Sequence, residues 1–483
     1  MSQTSGTGKY AARVPENILT PDAVESHRLG ELNFFDGLPS AETVEKVYDQ
    51  LDFARGVEAF LSGIPAASVY AFLEGLKQAG IGPFEMGITE QLLDARSLWL
   101  TPNTTTMYCL TEIDVKNGPV VMEVPPAVVG PVDDAYFRWV TDIGVTGPDQ
   151  GQGGKYLFVH NDDDGELPDG YFVARTPTYR HFLLMRAFVI DGDLAKTVES
   201  VKARWRIYPL AEAADPREPT FVNLSGKYYN TIHANDFTFF DELNAVVQYE
   251  PADAFNPEHV GLWASIGIKK GQPFEPDARM KTILVDAAAV ANATARALSF
   301  APRGREQFIY PDRNWVTPFV GGRHDFTRDG EMMLDYRTFL HYMATGITPA
   351  MAQTAVGKGS AYAWTPRSAD GEYLDGAKSY TITLPGPVPA ADFWSFAVYS
   401  GQHRGLLETD QALAGVDSNH PEITANNDGS YTIWFSPEPP PGREGNWVQT
   451  LPGKSWSVIL RLYGPLEPWF DQTWKPGDVE PIN

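Results

Sequence analysis

One cysteine, Cys109, stands in 483 residues, so no internal disulfide and no thiolate-based zinc cluster can form within the chain. Positive charge is also scarce. The 38 Lys and Arg against 62 Asp and Glu leave a formal charge of −24, and a polyanion meets a repulsive average field at such a surface. No nucleic acid and no membrane partner is expected. No run of 18 or more apolar residues occurs, and the opening Met1 to Lys9 lacks the apolar stretch of a secretory signal. The chain reads as cytoplasmic, although a mature form cut from a secreted precursor would look the same.

Cofactor fingerprints are missing, each at a named residue. Gly453-Lys454-Ser455 ends like a phosphate loop, but the glycine required five residues before Gly453 is Val448. Gly151-Gln152-Gly153 has Tyr156 where a dinucleotide fold needs its third glycine, and it leads into a strand instead of a helix N-terminus. Asp162-Asp163-Asp164-Gly165 has part of a calcium-loop spacing, yet His160 and Tyr171 occupy the opening and closing ligand positions. Neither H-x-H nor H-E-x-x-H nor a Gly-x-Ser-x-Gly elbow is found. No metal and no cofactor is expected.

What is there is a folded, turn-rich chain. It is 43% hydrophobic and 21% charged, which supports a sizeable core, and at this length two or more packed units are expected. Its 38 prolines are about 8% of the chain against a usual value of about 5%, scattered among Gly, Asn and Asp. From 40 to 80, Val44, Val47, Leu51, Ala54, Val57, Phe60 and Leu61 recur at helical steps behind Ser40, and Gly63-Ile64-Pro65 is expected to split this stretch into two helices. Short β runs follow: Val120 to Val124, Tyr136 to Val140, Tyr156 to His160, Tyr171 to Ala174 and Phe182 to Ile190. Asp193 is placed to cap a helix carrying Leu194, Val198 and Val201, and further helices are expected near 286 to 298, behind Asp286, and near 331 to 346. Strand texture returns at Tyr380 to Leu384, Phe393 to Tyr399, Tyr431 to Phe435 and Ser457 to Tyr463. This gives an α+β, predominantly β class, with two β-sandwich or jelly-roll domains and N-terminal and central helical segments.

Polar and aromatic side chains cluster at three places. Thr101 to Tyr108 sets Asn103, Thr105 and Tyr108 at the mouth of a strand, with Arg138-Trp139 as a second group in the same unit. Lys227 to His233 gathers Tyr228, Tyr229 and the imidazole of His233, which titrates near neutral pH. In the last unit Trp394, Tyr399, His403-Arg404 and Trp447 suggest a pocket wall. Each group also has a plain structural reading: loop pinning, a satisfied buried histidine, or ordinary core.

Several segments resemble a known tandem, a DUF1254 domain followed by a DUF1214 domain. The first is carried by Thr101 to Tyr108, Gly118 to Pro125, Gly154-Lys155-Tyr156-Leu157 and Val189-Ile190-Asp191-Gly192. The second is carried by Asp370 to Gly376, Phe393-Trp394-Ser395, Asn427 to Ser430, Asn446-Trp447, Pro452-Gly453-Lys454, Arg461 to Pro465 and Gly477-Asp478. The resemblance implies two sandwich or jelly-roll domains and transfers no catalytic residue. The division expected is an N-terminal helical segment over 1–95, a DUF1254-like domain over 96–275, a helical connection over 276–369 and a DUF1214-like domain over 370–483.

Two functions fit. One is a cofactor-independent enzyme, a hydrolase of a small organic molecule held between the β domains. Its base would be His233 or His403, its charge partner Arg138 or Arg404, and its hydrogen-bond donor Tyr108 or Tyr228. The other is a non-catalytic carbohydrate- or small-ligand-binding protein using aromatic platforms such as Trp139, Trp394 and Trp447. The partner in both is a small molecule, and oligomeric state is unspecified.

Overall fold

The structure, a computed structural model, describes residues 9–10, 12–190 and 192–482. Met1–Gly8 and Asp191, and with them most of the opening segment and part of the Val189–Gly192 motif, lie outside these residues. Eight α-helices and 25 strands occur among the described residues, which is the β-rich α+β class.

Alternation along the strands sorts the side chains of the first β unit. A six-stranded sheet has the order Thr220–Asn223, Glu85–Ile88, Met107–Asp114, Arg180–Ala187, Val128–Asp134 and Trp139–Gly144. Its Met107, Cys109, Leu183 and Met185 face a four-stranded sheet of Phe172–Thr176, Gly154–His160, Val120–Val124 and Arg206–Pro209, sharing a core with Met122, Tyr156 and Phe158. The intervening Tyr108, Leu110, Phe182 and Leu184 face the other way, into a core shared with the helices.

The second unit repeats this arrangement. One sheet runs Ser360–Thr365, Trp456–Pro465, Ala390–Ser400, Gly415–Asp417, and its partner runs Trp447–Gln449, Tyr431–Ser436, Ser379–Leu384, Glu480–Ile482. Phe396, Val398, Val458 and Leu460 pack against Ile382, Leu384, Ile433 and Phe435.

Helices pack on these units and between them. They are α1 (Ala41–Gln78), α2 (Leu194–Arg204), α3 (Thr238–Tyr249), α4 (Pro257–Ser265), α5 (Ala278–Phe300), α6 (Leu334–Met343) and the short α7 (Pro349–Ala352) and α8 (Glu467–Phe470). As expected, Ser40 caps α1, accepting from Thr43 N at 3.2 Å, and Asp193 caps α2, accepting from Lys196 N at 3.2 Å.

Three expectations need correction. The Gly63-Ile64-Pro65 break does not occur, and α1 runs unbroken through Pro65. Gly63 lets α3 approach so closely that a β-carbon there would sit 2.9 Å from Leu243 Cδ2. Burial of this middle stretch outweighs the one N–H that proline removes. Helix α5 begins at Ala278 behind Asp277, whose side chain accepts from Met280 N at 2.8 Å, so Asp286 is an exposed mid-helix residue and no cap. The run Tyr136 to Val140 starts as a turn: Asp134 Oδ1 accepts from Tyr136 N (2.8 Å) and Arg138 N (3.0 Å), and the strand opens only at Trp139.

The expected boundaries also shift, since the first sheet already includes Glu85–Ile88 and the second begins at Ser360. The N-terminal segment also carries a three-stranded meander of Ala23–Ser26, Gly30–Phe35 and Leu38–Pro39. By length and composition α1 and α5 could each cross a membrane; 78% of the apolar window of α1 and 33% of that of α5 are buried inside the molecule.

Candidate functional site

A cavity of about 90 Å³ lies where the outward faces of the two sheets and α6 meet. The first sheet supplies Tyr108 and Leu184, with Arg186 in register opposite Tyr108 on the neighbouring strand. The second supplies Tyr362 opposite Arg461 and Trp364 opposite Ile459. Helix α6 adds Phe339, Leu340 and Met343, and Trp99, Phe319 and Met351 close the apolar wall. A wider chamber of about 370 Å³ adjoins it, sharing Pro131, Arg186, Met351 and Tyr362 and adding Thr106, Lys358, Asp392 and Tyr463. Arg186 therefore stands at the junction of an apolar interior and a more polar vestibule.

The two arginines differ in what they touch. Arg461, 5% exposed, donates from Nη1 to Tyr399 Oη at 2.8 Å and from Nη2 to the carbonyls of Thr101 (2.9 Å) and Pro102 (3.4 Å). Tyr399 Oη donates in turn to Pro102 O at 2.6 Å. Together these bonds tie the second sheet to the Thr101–Tyr108 loop of the first unit. Arg186, half-buried, is less committed: its Nε is buried without a partner, its one side-chain bond is to the phenol of Tyr362, and the phenols of Tyr362, Tyr108 and Tyr463 act on its charge. Neither arginine forms an ion pair among the described residues. The carboxylate that senses Arg186 is Asp142, itself occupied by Thr348 Oγ1 (2.7 Å) and Trp139 Nε1 (2.9 Å), its pKa raised by burial. Trp364 Nε1 is a second buried donor without a partner among the lining residues.

Tyr108 is held neutral, because burial pushes its phenol well above the ordinary range. Its Oη accepts from Asn103 N at 2.9 Å, which leaves its own hydrogen to donate. Asn103 lines the cavity but its Oδ1 is spent on the loop, accepting from Thr105 N (3.0 Å), Thr106 N (3.0 Å) and Thr106 Oγ1 (2.9 Å). Thr105 Oγ1 meets Tyr463 Oη at 3.1 Å, one more tie between the units.

The remaining residues singled out in the sequence do not converge on this cavity. Arg138 is paired with buried Asp134 (Nε to Oδ2, 2.7 Å), and Trp139 is half-exposed beside His324. Tyr228 is 78% exposed and with Tyr229 borders an open groove of about 670 Å³ that also holds Asp94 and Glu408. Trp394 packs against Phe396 and Tyr431 in the second core, and Trp447 Nε1 donates to Ser436 O at 3.0 Å. His403 accepts from Gly405 N at 3.2 Å. His233 and Arg404 do come together, both beside Tyr342 and outside the cavity lining: the ring of His233 is 5.7 Å from that of Tyr342 and the Arg404 guanidinium 3.7 Å from it. Burial, with Arg404 adding to it, pulls His233 down to about 3. Sequence reasoning missed Arg186, Tyr362, Trp364 and Arg461. Their one trace was a charged or polar side chain inside an apolar strand, and Arg461 and Tyr463 stood within the second family motif.

No group of three or more His, Cys, Asp or Glu is arranged for a metal ion among the described residues. Burial also pushes the Cys109 thiol far up, out of reach of thiolate chemistry.

The family model of DUF1254 matches residues 85–209 and that of DUF1214 matches 359–467, both described as proteins of unknown function. The chain is a DUF1254–DUF1214 tandem protein. The two matches contain the strands that bear Tyr108 and Arg186 on one side of the cavity and Tyr362 and Arg461 on the other, so the cavity forms between the two matched domains. The tandem resembles the crystal structure of the VPA0106 protein from Vibrio parahaemolyticus, with TM-score 0.56 and 18% identity over 89% of this chain and 100% of that one. A Burkholderia cenocepacia protein aligns over 92% of this chain and 99% of its own at TM-score 0.40 and 12% identity. No curated protein matches.

Proposed function

We propose that this tandem protein binds a small organic acid in the cavity between its two sandwiches, with the acid group on Arg186 and the apolar body among Leu184, Phe339, Met343 and Ile459. The observation that carries this reading is Arg186 itself. Its Nε is buried with no partner and no carboxylate pairs with it among the described residues, and a carboxylate accepting two of its N–H groups in bidentate geometry offsets the cost of withdrawing that donor from water. Tyr108 and Trp364 add donors beside it, and a largely apolar wall favours a hydrocarbon or aryl body over a sugar.

Hydrolysis is the weaker reading. It needs a base within reach of a bound substrate, and neither His233 nor His403 is among the residues lining the cavity. The −24 charge also argues against nucleic acid and anionic membrane as partners. Calorimetric titration with benzoate and hexanoate, against benzyl alcohol and hexanol, tests the proposal. The acids should bind and the alcohols should not, and Arg186→Met should cost about 2–5 kcal/mol, roughly 30-fold or more in affinity. Equal affinity for acid and alcohol, or Arg186-dependent turnover of a nitrophenyl ester panel, would favour a different function.

A further inference from the structure

A second cationic group lies outside the cavity. Arg404 is 0% exposed, and none of its Nε, Nη1 and Nη2 makes a hydrogen bond of ordinary geometry to a described protein atom. Tyr342 offers its ring face at 3.7 Å and its phenol partly offsets burial, but the phenol hydrogen is committed to Asn292 Oδ1 at 2.7 Å. The next charge is Arg296, of the same sign, which spends its donors on the carbonyls of Gly401 and Gln402. Burial and Arg296 lower the Arg404 pKa only to about 10, so it keeps its proton at neutral pH. No carboxylate acts on it. A cation–π contact contributes about 2 kcal/mol when desolvated, short of what an isolated buried cation loses by leaving water.

We propose that Arg404 holds a small monovalent inorganic anion, chloride in the cell, on the donor edge that Tyr342 leaves free. His233 is a neighbour and not a ligand: its Nδ1 lies 2.8 Å from Ala234 O, so that nitrogen carries the proton and Nε2 presents a lone pair. The site is separate from the cavity but mechanically linked to it, because Thr101, a lining residue, donates its N–H to the Arg404 carbonyl at 3.1 Å.

Bromide is the direct probe. Crystals of the wild-type protein grown in sodium bromide should show an anomalous peak in hydrogen-bond reach of the Arg404 guanidinium. In solution the melting temperature should rise along a saturating curve in chloride by roughly 1–3 °C and stay flat in gluconate of matched ionic strength, and Arg404→Met should abolish the difference. A water bridging Arg404 to His233 with no bromide there, bromide only at surface sites, or identical melting in chloride and gluconate would overturn the proposal. The wild-type measurements decide it even where Arg404→Met does not fold.

Discussion

Arg186 and Arg461 face the same cavity, yet removing each should have opposite consequences for the fold. Arg461 donates to two main-chain carbonyls across the junction of the units and to one phenol of its own sheet. Losing hydrogen bonds to a charged donor, with Thr101 O left dry, costs about 2–3 kcal/mol, so Arg461→Met should lower the denaturant midpoint without changing its slope much. Arg186 makes no ion pair and leaves Nε unbonded, so replacing it by an apolar side chain of similar volume should be neutral or stabilising by about 1–4 kcal/mol in the ligand-free protein. Urea unfolding of the two variants checks both signs. An Arg186→Met protein as destabilised as Arg461→Met would mean that Arg186 is a structural clamp and would remove the basis of the ligand reading. The sequence could not separate these two residues. Both are single cations in apolar strands, and which donors are engaged depends on loops some 360 residues away along the chain, as the Arg461 to Thr101 bond shows.

At the level of elements, helix α1 shows how tertiary packing overrides local preference. Gly75 lies inside it, and in an isolated helix a glycine-to-alanine change gains about 1 kcal/mol. Here a β-carbon would stand 2.3 Å from the main-chain oxygen of Asn230, in the short Tyr229–Asn230 strand paired with Ser97–Leu98. Backbone cannot yield as a side-chain end can, so Gly75→Ala should destabilise by roughly 1–3 kcal/mol, reversing the propensity sign; a raised melting temperature would count against this packing. The same competition explains which elements were legible. The strands Ser379–Leu384, Tyr431–Ser436 and Trp456–Pro465 showed in the sequence, as Tyr380 to Leu384, Tyr431 to Phe435 and Ser457 to Tyr463, because each has β-branched and aromatic residues between turn signals. Val128–Asp134 and Glu85–Ile88 did not, since their Gly, Pro and acidic residues read as loop. Pro65 looked like a helix end because the partner that holds α1 together there, Leu243 of α3, is nearly 180 residues away. Cavity residues on element faces were half legible, because Tyr108 and Asn103 sit in a polar run while Arg186 hides in a strand.

For the molecule as a whole, buried titratable groups set where the fold is most stable. Burial lowers six histidines, His324 and His403 among them, and four of them far: His181 to about 4, His233 to about 3, His259 to about 4 and His341 to about 3, the last three with a nearby arginine adding to the effect. In the unfolded chain they take up protons near pH 6.5, so between there and pH 3–4 the unfolded state binds more protons and stability falls as pH falls. Buried carboxyls act in the opposite sense, Asp133 among them, which burial holds well above the ordinary carboxylate range. Burial raises Glu242 to about 8 and Glu250 to about 7, so above their unfolded pKa of about 4.5 the native state binds more protons and stability falls as pH rises, until each titrates in the folded protein. Below pH 6 the lowered histidines outweigh the raised carboxyls and stability climbs with pH; as the unfolded chain's histidines lose their protons above 6.5 the carboxyls take over, and it declines. Denaturant midpoints measured from pH 5 to 9 should therefore peak between about pH 6 and 7. Glu242→Gln keeps an acceptor for Ala234 N, whose present bonds to Oε1 and Oε2 are both 3.1 Å, and carries no charge. It should flatten the alkaline limb and leave the variant about 2 kcal/mol or more stabler than wild type at pH 8. A wild-type midpoint that keeps rising from pH 6.5 to 9, or a Glu242→Gln protein with an unchanged alkaline limb, would show that Glu242 is ionised in the native state and that its pocket admits water.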